Sequence, residues 1–461
     1  MSVLLSVASA VFWGAIVLSV LVFIHEAGHY LAARACGVRV TEFMLGLPCR
    51  HRLSFKSKKV GTEIGVTPLL LGGYNRICGM EPVESSKLAE VLACVQANGR
   101  VEVAKVAAET GIGEDEALSA LVCLSDWASV RPYYNPKLCE KPSQKNYPAA
   151  FETMARDAAL LTEYDRGHDF SKAGATKAGA PRVPECGAEK FLEAERSHTY
   201  LGMGFLKRLA ILFAGPLVNV LFAFVVVSSY FMASGIPAAS TEPVIGQVSE
   251  GSYAESSGVE VGDRVLKVGE TEVSDWSSLT AALGPYLSSG TDFTLMVERG
   301  EGQVELTVDL EDGQAADMLG IGSEVIVYHP GPIESAGLAL SYGKMVAEYV
   351  VKLIVPQTTM EVLDQSSSVV GVSVMASEAA SSGLLDLLIL AASVSMSLGF
   401  MNLLPIPPLD GGKILIEVIQ LLVRRQLSAK AQGYISYIGL AFFVFVFVVV
   451  LKNDIVRFVI G

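Results

Sequence analysis

Four apolar runs of about 20 residues divide this chain of 461 residues and decide its class. A run of that length spans the roughly 30 Å hydrocarbon core of a bilayer as an α-helix. The mean hydropathy of +0.44 is high for a water-soluble protein. The sequence therefore predicts a polytopic α-helical membrane protein with four transmembrane helices, Val3–Ile24 (continuing as helix through Ala35), Ile211–Ile236, Leu384–Leu404 and Tyr434–Leu451. With their flanks these runs define the segments 1–36, 205–237, 384–423 (including a shorter helix after the span) and 433–452.

The distribution of basic residues predicts the orientation of these helices. Segments that stay in the cytoplasm carry an excess of Lys and Arg. Basic residues cluster after the first run and also flank the later runs: Arg39, Arg50, Arg52, Lys56, Lys58, Lys59, Lys207, Arg208, Arg424 and Arg425. Residues 37–207 are therefore predicted to be cytoplasmic, and both termini extracytoplasmic. The first run lacks a basic leader and is longer than the roughly 7–15 residues of a signal-peptide core, so we interpret it as a retained span.

Net charge and cysteine positions exclude two further classes. The net charge of −13 argues against a nucleic-acid-binding protein, which would carry a basic face. The seven cysteines all precede the second span, on the predicted cytoplasmic side, and their spacings match no zinc finger. We therefore expect reduced thiols.

The first two segments between the spans have the composition of water-soluble structure. Residues 37–80 alternate weakly and are broken by glycine and proline, which predicts strands and turns. Residues 81–200 are predicted to be a helical insertion, beginning with the helix-turn-helix pattern "VAKVAAETGIGEDEALSALVCLSDW". The following "ASVRPYYNP" is the candidate wing of a winged-helix-like module, and the polar stretch after it, to about Ser197, is predicted to be partly ordered.

The third soluble segment is predicted to be a separate α+β domain at residues 241–313. Its pattern is a strand, a Gly-Asp turn, a second strand, a helix from about Trp276 and a hairpin. The second strand of that hairpin alternates strictly at Val304, Leu306, Val308 and Leu310. Residues 314–375 are predicted to be a linker with an amphipathic segment that returns to the membrane.

The end of the first apolar run contains a metal-binding pattern. "FIHEAGHYLAARACG" places His25 and His29 four residues apart, so both imidazoles share one face of a helix and can bind one Zn²⁺. The adjacent Glu26 is then the candidate general base that takes a proton from water. The alternative is that these side chains lie in the headgroup region as the helix leaves the membrane. Because the helix stays apolar through Ala33 and charged groups in lipid are costly, the sequence favours a functional site.

Asp410 is the candidate third protein ligand that a catalytic zinc site requires. It lies in "NLLPIPPLDGGK", where prolines break the third helix and Gly411 and Gly412 permit close turns. Non-helical backbone at membrane depth is tolerated where it is buried in protein or lines a wet cavity, and a buried Asp there needs a cation. The alternative is that Asp410 caps the helix Lys413–Val423. Both polar clusters fall at the same predicted membrane face, which favours a shared site open to water.

These motifs resemble the site-two protease family of intramembrane zinc metalloproteases, in particular its RseP-type bacterial members. "HEAGH", "AGPLVN" (Ala214–Asn219) and "NLLPIPPLDGG" occur in the family's order, and the likeness covers all four spans. It implies zinc ligation by His25, His29 and Asp410, a general base at Glu26, and a place for Asn402 near the substrate or the oxyanion. It also implies the bacterial inner membrane, a membrane-associated β-hairpin at residues 37–80 and an extracytoplasmic PDZ domain at residues 241–313.

The chain departs from the family in three places. Family members often have His where this chain has Lys413, and RseP-type members often carry two PDZ domains where this chain has room for one. The insertion at residues 81–200 is outside the motif set. Its net acidity opposes DNA binding, and a site for a cytoplasmic protein partner or a structural role is expected.

The resemblance implies cleavage of single-span membrane proteins, such as anti-sigma-factor-like proteins or remnant signal peptides. A transmembrane helix must unwind before its carbonyl can be attacked, and the unwound backbone needs new partners in lipid. An edge strand in "GTEIGVTPLLLGGYNRI" can supply them by β-addition, with Gly65, Val66 and Thr67 as candidates. The alternative is a plain surface hairpin. The PDZ domain is expected to take a peptide or protein ligand, or to act as a rigid spacer.

Two other functions compete with proteolysis. The first is a catalytically inactive membrane scaffold that uses its PDZ and cytoplasmic domains as adaptors. It would have lost the glutamate or a ligand, whereas all four residues are present. The second is a metal or ion transporter, and the sequence lacks the internal repeats expected of many transporters.

Overall fold

The computed structural model describes residues 2–49, 51–70, 72–81, 85–142, 146–310, 318–425 and 427–456. Within them, four helices are long and apolar enough to cross a membrane, as predicted: Leu4–Cys36, Phe205–Ser234, Leu384–Asn402 and Lys430–Ile455. The third ends before the predicted Leu404, because the residue before a proline disfavours helical geometry and Pro405 follows. The fourth begins before the predicted Tyr434, because the Ser428 side chain accepts a hydrogen bond from the Ala431 amide and caps it.

The first helix carries a four-stranded sheet, which includes one antiparallel hairpin within the predicted hairpin region. Helix α1 (Ser2–Cys36) is followed by β1 (Val40–Leu45), β2 (Leu53–Lys56), β3 (Glu63–Val66) and β4 (Gly73–Ile77). The strand order is β2-β3-β1-β4, with β1 and β3 parallel and the other pairs antiparallel. The Phe43 ring of β1 stacks on the rings of Phe23 and Tyr30 of α1, at centroid distances of 4.6 and 4.8 Å. This stacking fixes the sheet against the helix that contains His25, Glu26 and His29.

The insertion after the sheet is a small domain with its own apolar core. Its elements are α2 (Leu88–Asn98), β5 (Arg100–Glu102), α3 (Val103–Thr110), α4 (Glu114–Asp126), β6 (Val130–Tyr133), β7 (Ala150–Thr153) and α5 (Ala188–Arg196). The predicted helix-turn-helix corresponds to α3 and α4, and the predicted wing contains β6, which joins a three-stranded sheet of order β5-β7-β6. Leu92, Leu121 and Phe151 are fully buried in the core that these elements share.

The stretch after the wing is more ordered than its weak periodicity predicted. It contains β7 and α5, and it contributes to a buried ion-pair cluster. Arg39, just beyond α1, donates to Asp165 (Nη2 to Oδ2, 2.7 Å) and to Glu195 (Nη1 to Oε2, 2.8 Å). Arg156 also donates to Glu195 (Nη1 to Oε1, 2.9 Å). Such a cluster leaves no periodic trace in the sequence, although it joins the insertion to the end of α1.

Opposing effects set the pKa of each carboxyl group in this cluster. Burial raises the pKa of Glu195, but the charges of Arg39 and Arg156 more than offset it and leave that pKa well below its usual range. Burial also raises the pKa of Asp165, and the hydrogen bond and charge of Arg39 again lower it overall. Both groups are therefore carboxylates at neutral pH, as the two arginines require.

Helix α6 (Phe205–Ser234) leads into a second compact unit, residues 228–338. Its elements are β8 (Ile236–Ala239), β9 (Ile245–Val248), α7 (Tyr253–Ser256), β10 (Arg264–Val268), β11 (Thr271–Glu272), α8 (Trp276–Ser289), β12 (Phe293–Arg299), β13 (Gly302–Val308), β14 (Ile321–Ser323) and β15 (Val325–Tyr328). Helix α8 begins at Trp276 as predicted, because the Asp275 and Ser278 side chains form a capping box. The predicted hairpin is β12 and β13. Residues 311–317, at the junction of the predicted domain and linker, lie outside the described residues.

The last part of the chain returns to the membrane unit through α9 (Pro332–Lys352), α10 (Thr359–Gln365) and α11 (Val369–Ser382). It ends with α12 (Leu384–Asn402), α13 (Asp410–Val423) and α14 (Ala429–Ile455). The predicted linker thus contains three helices. Helix α11 packs along α1, where the hydroxyl oxygens of Ser377 and Ser9 lie 2.7 Å apart. Small side chains allow this close approach, and their low hydropathy makes the segment look like a linker in the sequence.

Candidate metal centre

Three buried side chains converge at one point, as predicted from the sequence. The Nε2 atoms of His25 and His29 lie 3.1 Å apart. The Oδ2 atom of Asp410 lies 3.0 Å from His25 Nε2 and 3.2 Å from His29 Nε2. Within the described residues, these three form the group of His, Cys, Asp and Glu side chains able to hold a metal ion.

Backbone geometry brings Asp410 to the two histidines. Helix α12 ends at Asn402, and the proline-rich turn that follows leads to α13, whose first residue is Asp410. A Cβ atom on Gly411 would lie 2.3 Å from the carbonyl oxygens of both Leu403 and Leu404, so the turn closes only with glycine there. The predicted role of this glycine in a close turn is confirmed.

A second close approach brings α6 against the same site. A Cβ atom on Gly215, within the "AGPLVN" motif, would lie 2.3 Å from His29 Nε2. On α1, a Cβ atom on Gly28 would lie 2.3 Å from the Ala214 carbonyl oxygen. Glycines at these two positions therefore let α1 and α6 pack closely. As a result, α6 lines one side of the candidate metal site.

The donor set fits zinc. Bonds of 2.0–2.1 Å in a tetrahedral site place neighbouring ligand atoms about 3.3 Å apart, close to the three separations seen here. The Nδ1 atom of His29 lies 2.7 Å from the Ile211 carbonyl oxygen, which can only accept a hydrogen bond. The proton of this imidazole therefore sits on Nδ1, which leaves the Nε2 lone pair directed at the metal position. Three protein ligands leave one position of a tetrahedron for water or substrate.

Glu26, the candidate base, is held by a residue that sequence reasoning missed. The Asn75 side chain on β4 donates from Nδ2 to Glu26 Oε2 at 2.6 Å and to the Glu26 carbonyl oxygen at 3.1 Å. A single Asn in "GGYNRI" gives no sign of this contact, because it depends on how the sheet lies against α1. The hydrogen bond fixes the Glu26 carboxylate beside the histidines.

A second polar group anchors the helix that bears Asp410. Glu417, two turns further along α13, is buried and accepts a hydrogen bond from the Tyr200 hydroxyl at 3.1 Å. Its Oε2 atom lies 3.1 Å from Arg208 Nη2 at the start of α6. The Lys413 ammonium lies 3.7 Å from Asp410 Oδ1, so the position where family members often have His contacts the candidate ligand directly. These contacts set the position of α13 relative to α6.

The role of Asn402 stays a prediction, whereas the predicted substrate strand is not an open edge of the sheet. Asn402 is the last residue of α12, and within the described residues its side chain makes no hydrogen bond to His25, His29 or Asp410. The choice of Gly65, Val66 and Thr67 as an open edge is wrong, because β3 pairs with β1 on one side and β2 on the other. Thr67 is buried, and its amide donates to the Leu45 carbonyl oxygen.

The open edge that lies near the three candidate ligands is β4 instead. Among the described strands, β4 pairs with β1 alone, and it is the strand that contains Asn75. The sequence could not distinguish β3 from β4, since strand order in a sheet depends on tertiary packing.

Comparison with known proteins agrees with this geometry. The sequence profile of Peptidase family M50 matches residues 13–446. The chain is similar to "Putative zinc metalloprotease LL2128" of Lactococcus lactis, at 26% identity over 96% of this chain and 97% of that protein. It is similar to "Regulator of sigma-W protease RasP" of Bacillus subtilis, at 25% identity over 96% of this chain and 97% of that protein. It is also similar to "Probable protease eep" of Enterococcus faecalis, at 25% identity over 96% and 98%.

The family match and these relatives do not favour an inactive scaffold. The match covers most of the chain, and several relatives are zinc metalloproteases by name. The four apolar helices make the protein a multi-pass membrane protein. The chain therefore belongs to peptidase family M50, the site-two proteases, and is an intramembrane zinc metalloprotease with Zn²⁺ as its cofactor.

Proposed function

We propose that this protease cleaves single-span membrane proteins at a site reached by water from the cytoplasm. His25, His29 and Asp410 would hold the zinc, and the convergence of their three ligand atoms within 3.2 Å of one another is the observation that carries the proposal. The basic residues beyond α1 support a bacterial inner-membrane protein with residues 37–207 in the cytoplasm and both termini outside.

Glu26 is the proposed general base. Zinc bound by the three ligands supplies Lewis-acid polarisation of the scissile carbonyl and acidifies water. The Glu26 carboxylate accepts a proton from the attacking water and passes it to the leaving amine. Asn75 holds that carboxylate in one orientation, which keeps it beside the reacting atoms without further loss of side-chain freedom.

The β4 edge is the proposed docking strand for the unwound substrate. An unwound segment has unpaired amide and carbonyl groups, and the free backbone groups of an edge strand can satisfy them. The hydrogen bond between Asn75 and Glu26 links this edge to the base, so a strand added to β4 would lie next to the reaction site. Asn402, at the end of α12, is proposed to contact the same segment, as the family resemblance implies.

The second unit is proposed to be one PDZ domain that filters substrates outside the membrane. Its order of strands and helices, with α8 packed on the β10–β13 sheet, supports this assignment. Such a domain can capture a peptide end or an added strand. The insertion is proposed to be a winged-helix-like module that contacts protein rather than nucleic acid, because its acidic residues Glu114, Asp115 and Glu116 oppose phosphate.

Replacement of the base tests the assignment. Glu26→Gln removes the proton acceptor and leaves the three ligands intact, so the purified variant should retain one zinc per chain and lose cleavage of a single-span reporter. Glu116→Gln, on an exposed turn of α4, is the matched control and should cleave at the rate of the unchanged protein. Cleavage that persists in Glu26→Gln would exclude the proposed mechanism. Comparative membrane proteomics of cells with and without this change should then reveal the accumulated natural substrate.

A further inference from the structure

A cleft of about 1180 Å³ separates the four-stranded sheet from the insertion. Asn75, Arg76 and Ile77 of β4 line one side, and residues of α4 and β6 line the other. The open edge of β4 therefore borders a space whose far wall is supplied by the insertion. Neither the metal site nor the proposed base requires that wall.

The cleft is continuous with the catalytic residues through Asn75. Asn75 lines the cleft, and its side chain donates to the Glu26 carboxylate at 2.6 Å. A chain that adds to β4 at the base must continue along the strand, past Arg76 and Ile77. It would therefore enter the space between the sheet and α4 and contact the insertion there.

The lining has an excess of negative charge. Five carboxylates face three basic side chains there: Glu42, Glu63, Glu81, Asp126 and Glu163 against Lys56, Arg76 and Arg131. The Lys56 ammonium pairs with Glu163 at 2.7 Å, and Arg131 pairs with Glu152. Within the part of the chain that the structure describes, Glu81 and Asp126 have no ion-pair partner.

The Asp126 carboxylate is held by the Gly79 amide at 2.8 Å. Glu81 is exposed in the cleft and makes no such contact among the described residues. Arg52, beside the lining, pairs with Glu42 and Glu63. Burial raises the pKa of Asp126, and the charge of Arg76 opposes this effect. Glu81 is therefore the carboxylate that a basic ligand could pair with without breaking an existing ion pair.

We propose that this cleft binds the basic cytoplasmic flank of the substrate in an extended conformation, so that the insertion helps to select substrates. The inference rests on the proposed cleavage of single-span proteins. Single-span proteins carry Lys and Arg next to the cytoplasmic end of their span. The positive charge of the flank therefore complements the negative charge of the cleft. The β4 edge favours an extended backbone in the bound flank. Complementary charge at such a site changes substrate capture and selectivity more than the chemical step.

Paired reporters test the proposal in the full-length enzyme. Two single-span reporters share one transmembrane segment, and their cytoplasmic flank contains either four Lys or four Gln. The unchanged enzyme should cleave the Lys reporter with a kcat/KM about three- to tenfold higher, and raised salt should reduce the ratio. Glu81→Lys should reduce the ratio towards one. Glu193→Lys, an exposed change on α5 outside the cleft lining, should leave it unchanged.

A ratio near one in the unchanged enzyme, or an equal effect of Glu81→Lys and Glu193→Lys, overturns the proposal. Failure of the enzyme to cleave either reporter contradicts the proposed function instead. The two failures are therefore distinguishable.

Cross-linking provides a readout that does not require cleavage. In a Glu26→Gln background with the seven native cysteines replaced by Ser, Ser119→Cys places the single thiol of the enzyme on the exposed cleft face of α4. A short bismaleimide should join it to a cysteine in the flank of the Lys reporter. Glu116→Cys, on the same helix but outside the lining, should give a much weaker product. Equal yields of the cross-linked product at the two positions would exclude the cleft as the binding site. Cross-linking to soluble cytoplasmic proteins but not to the reporter would exclude it too.

Discussion

Asn75 donates a 2.6 Å hydrogen bond to the carboxylate of Glu26, and so ties the edge strand of the sheet to the candidate base. A hydrogen bond to a charged group contributes about 1.5–3 kcal/mol, and its removal frees the carboxylate to rotate away from the reaction site. We therefore expect Asn75→Ala to lower kcat about 10- to 100-fold with zinc content unchanged. Steady-state kinetics on a single-span reporter and metal analysis measure the two quantities.

Tyr74→Phe is the control for this change. Tyr74 neighbours Asn75 on β4, but its hydroxyl donates to Glu42 instead of Glu26. The control should keep kcat within about twofold, because this partly buried hydrogen bond reaches neither Glu26 nor the candidate zinc ligands. A normal kcat in Asn75→Ala would show that Glu26 needs no such support.

Loss of the aspartate ligand should release the metal. Asp410→Ala removes one of the three proposed zinc ligands and leaves two histidines. Zinc affinity should therefore fall by about 100-fold or more, beyond the 10- to 100-fold typical of lost supporting contacts. Lys413→Ala, which removes the ammonium 3.7 Å from Asp410 Oδ1, is the matched control and should retain zinc. Competition with a chromogenic chelator gives both affinities. If Asp410→Ala retained zinc, the third ligand would have to be another residue.

Packing against His29 should be sensitive to one methyl group. In Gly215→Ala the new Cβ atom would lie 2.3 Å from His29 Nε2, so either the imidazole or α6 must move. We expect zinc affinity and kcat to fall at least about tenfold, as for other changes that misplace a ligand. Gly433→Ala on α14, where a Cβ atom meets nothing within 4 Å, should have no such effect. Equal zinc content in the two variants would contradict the close approach of α6.

The buried ion-pair cluster of the insertion predicts an acid limit to stability. Folding lowers the pKa of Glu195 from its ordinary 4.5 and that of Asp165 from 3.8. The stability that these carboxylates contribute is complete above about pH 4.5 and is lost as the pH falls towards the folded-state values. Trp127 fluorescence, in a variant with Trp13 and Trp276 replaced by Phe, should report unfolding of the insertion below that pH.

Removal of one charge from the same cluster should also be costly. Glu195→Gln leaves Arg39 and Arg156 buried with one carboxylate between them, and breaking a buried pair typically costs about 3–5 kcal/mol. The variant should therefore have a lower midpoint of thermal unfolding at neutral pH. Glu193→Gln, exposed on the same helix, should unfold at the temperature of the unchanged protein. An unchanged midpoint in Glu195→Gln would show that the cluster adds nothing to stability.

The sequence predicted the candidate site best where polar residues lie in apolar, membrane-spanning segments. His25, His29 and Asp410 are polar residues in or beside apolar spans, and lipid makes such residues costly unless they have a purpose. Helix periodicity then places both histidines on one face without knowledge of the fold. The four spans could be predicted because lipid leaves a chain of that length and apolar composition no other structure than a helix.

The remaining features depend on contacts between distant segments. The order of β3 and β4 in the sheet decides which edge is open, and a local pattern of glycines and alternating residues is the same for either order. The contact of Asn75 with Glu26 requires that register. The Arg39, Asp165 and Glu195 cluster likewise joins positions up to 156 residues apart, so no local signal accompanies it.

The stacking of Phe43 between Phe23 and Tyr30 has a mechanical consequence. Transmembrane helices change their tilt to match the local thickness of the bilayer. Since two aromatic contacts fasten the sheet to α1, a tilt of this helix carries Glu26 and the β4 edge by the same rotation. The distance between Glu26 and a substrate segment added to β4, as proposed, should then change little with lipid composition.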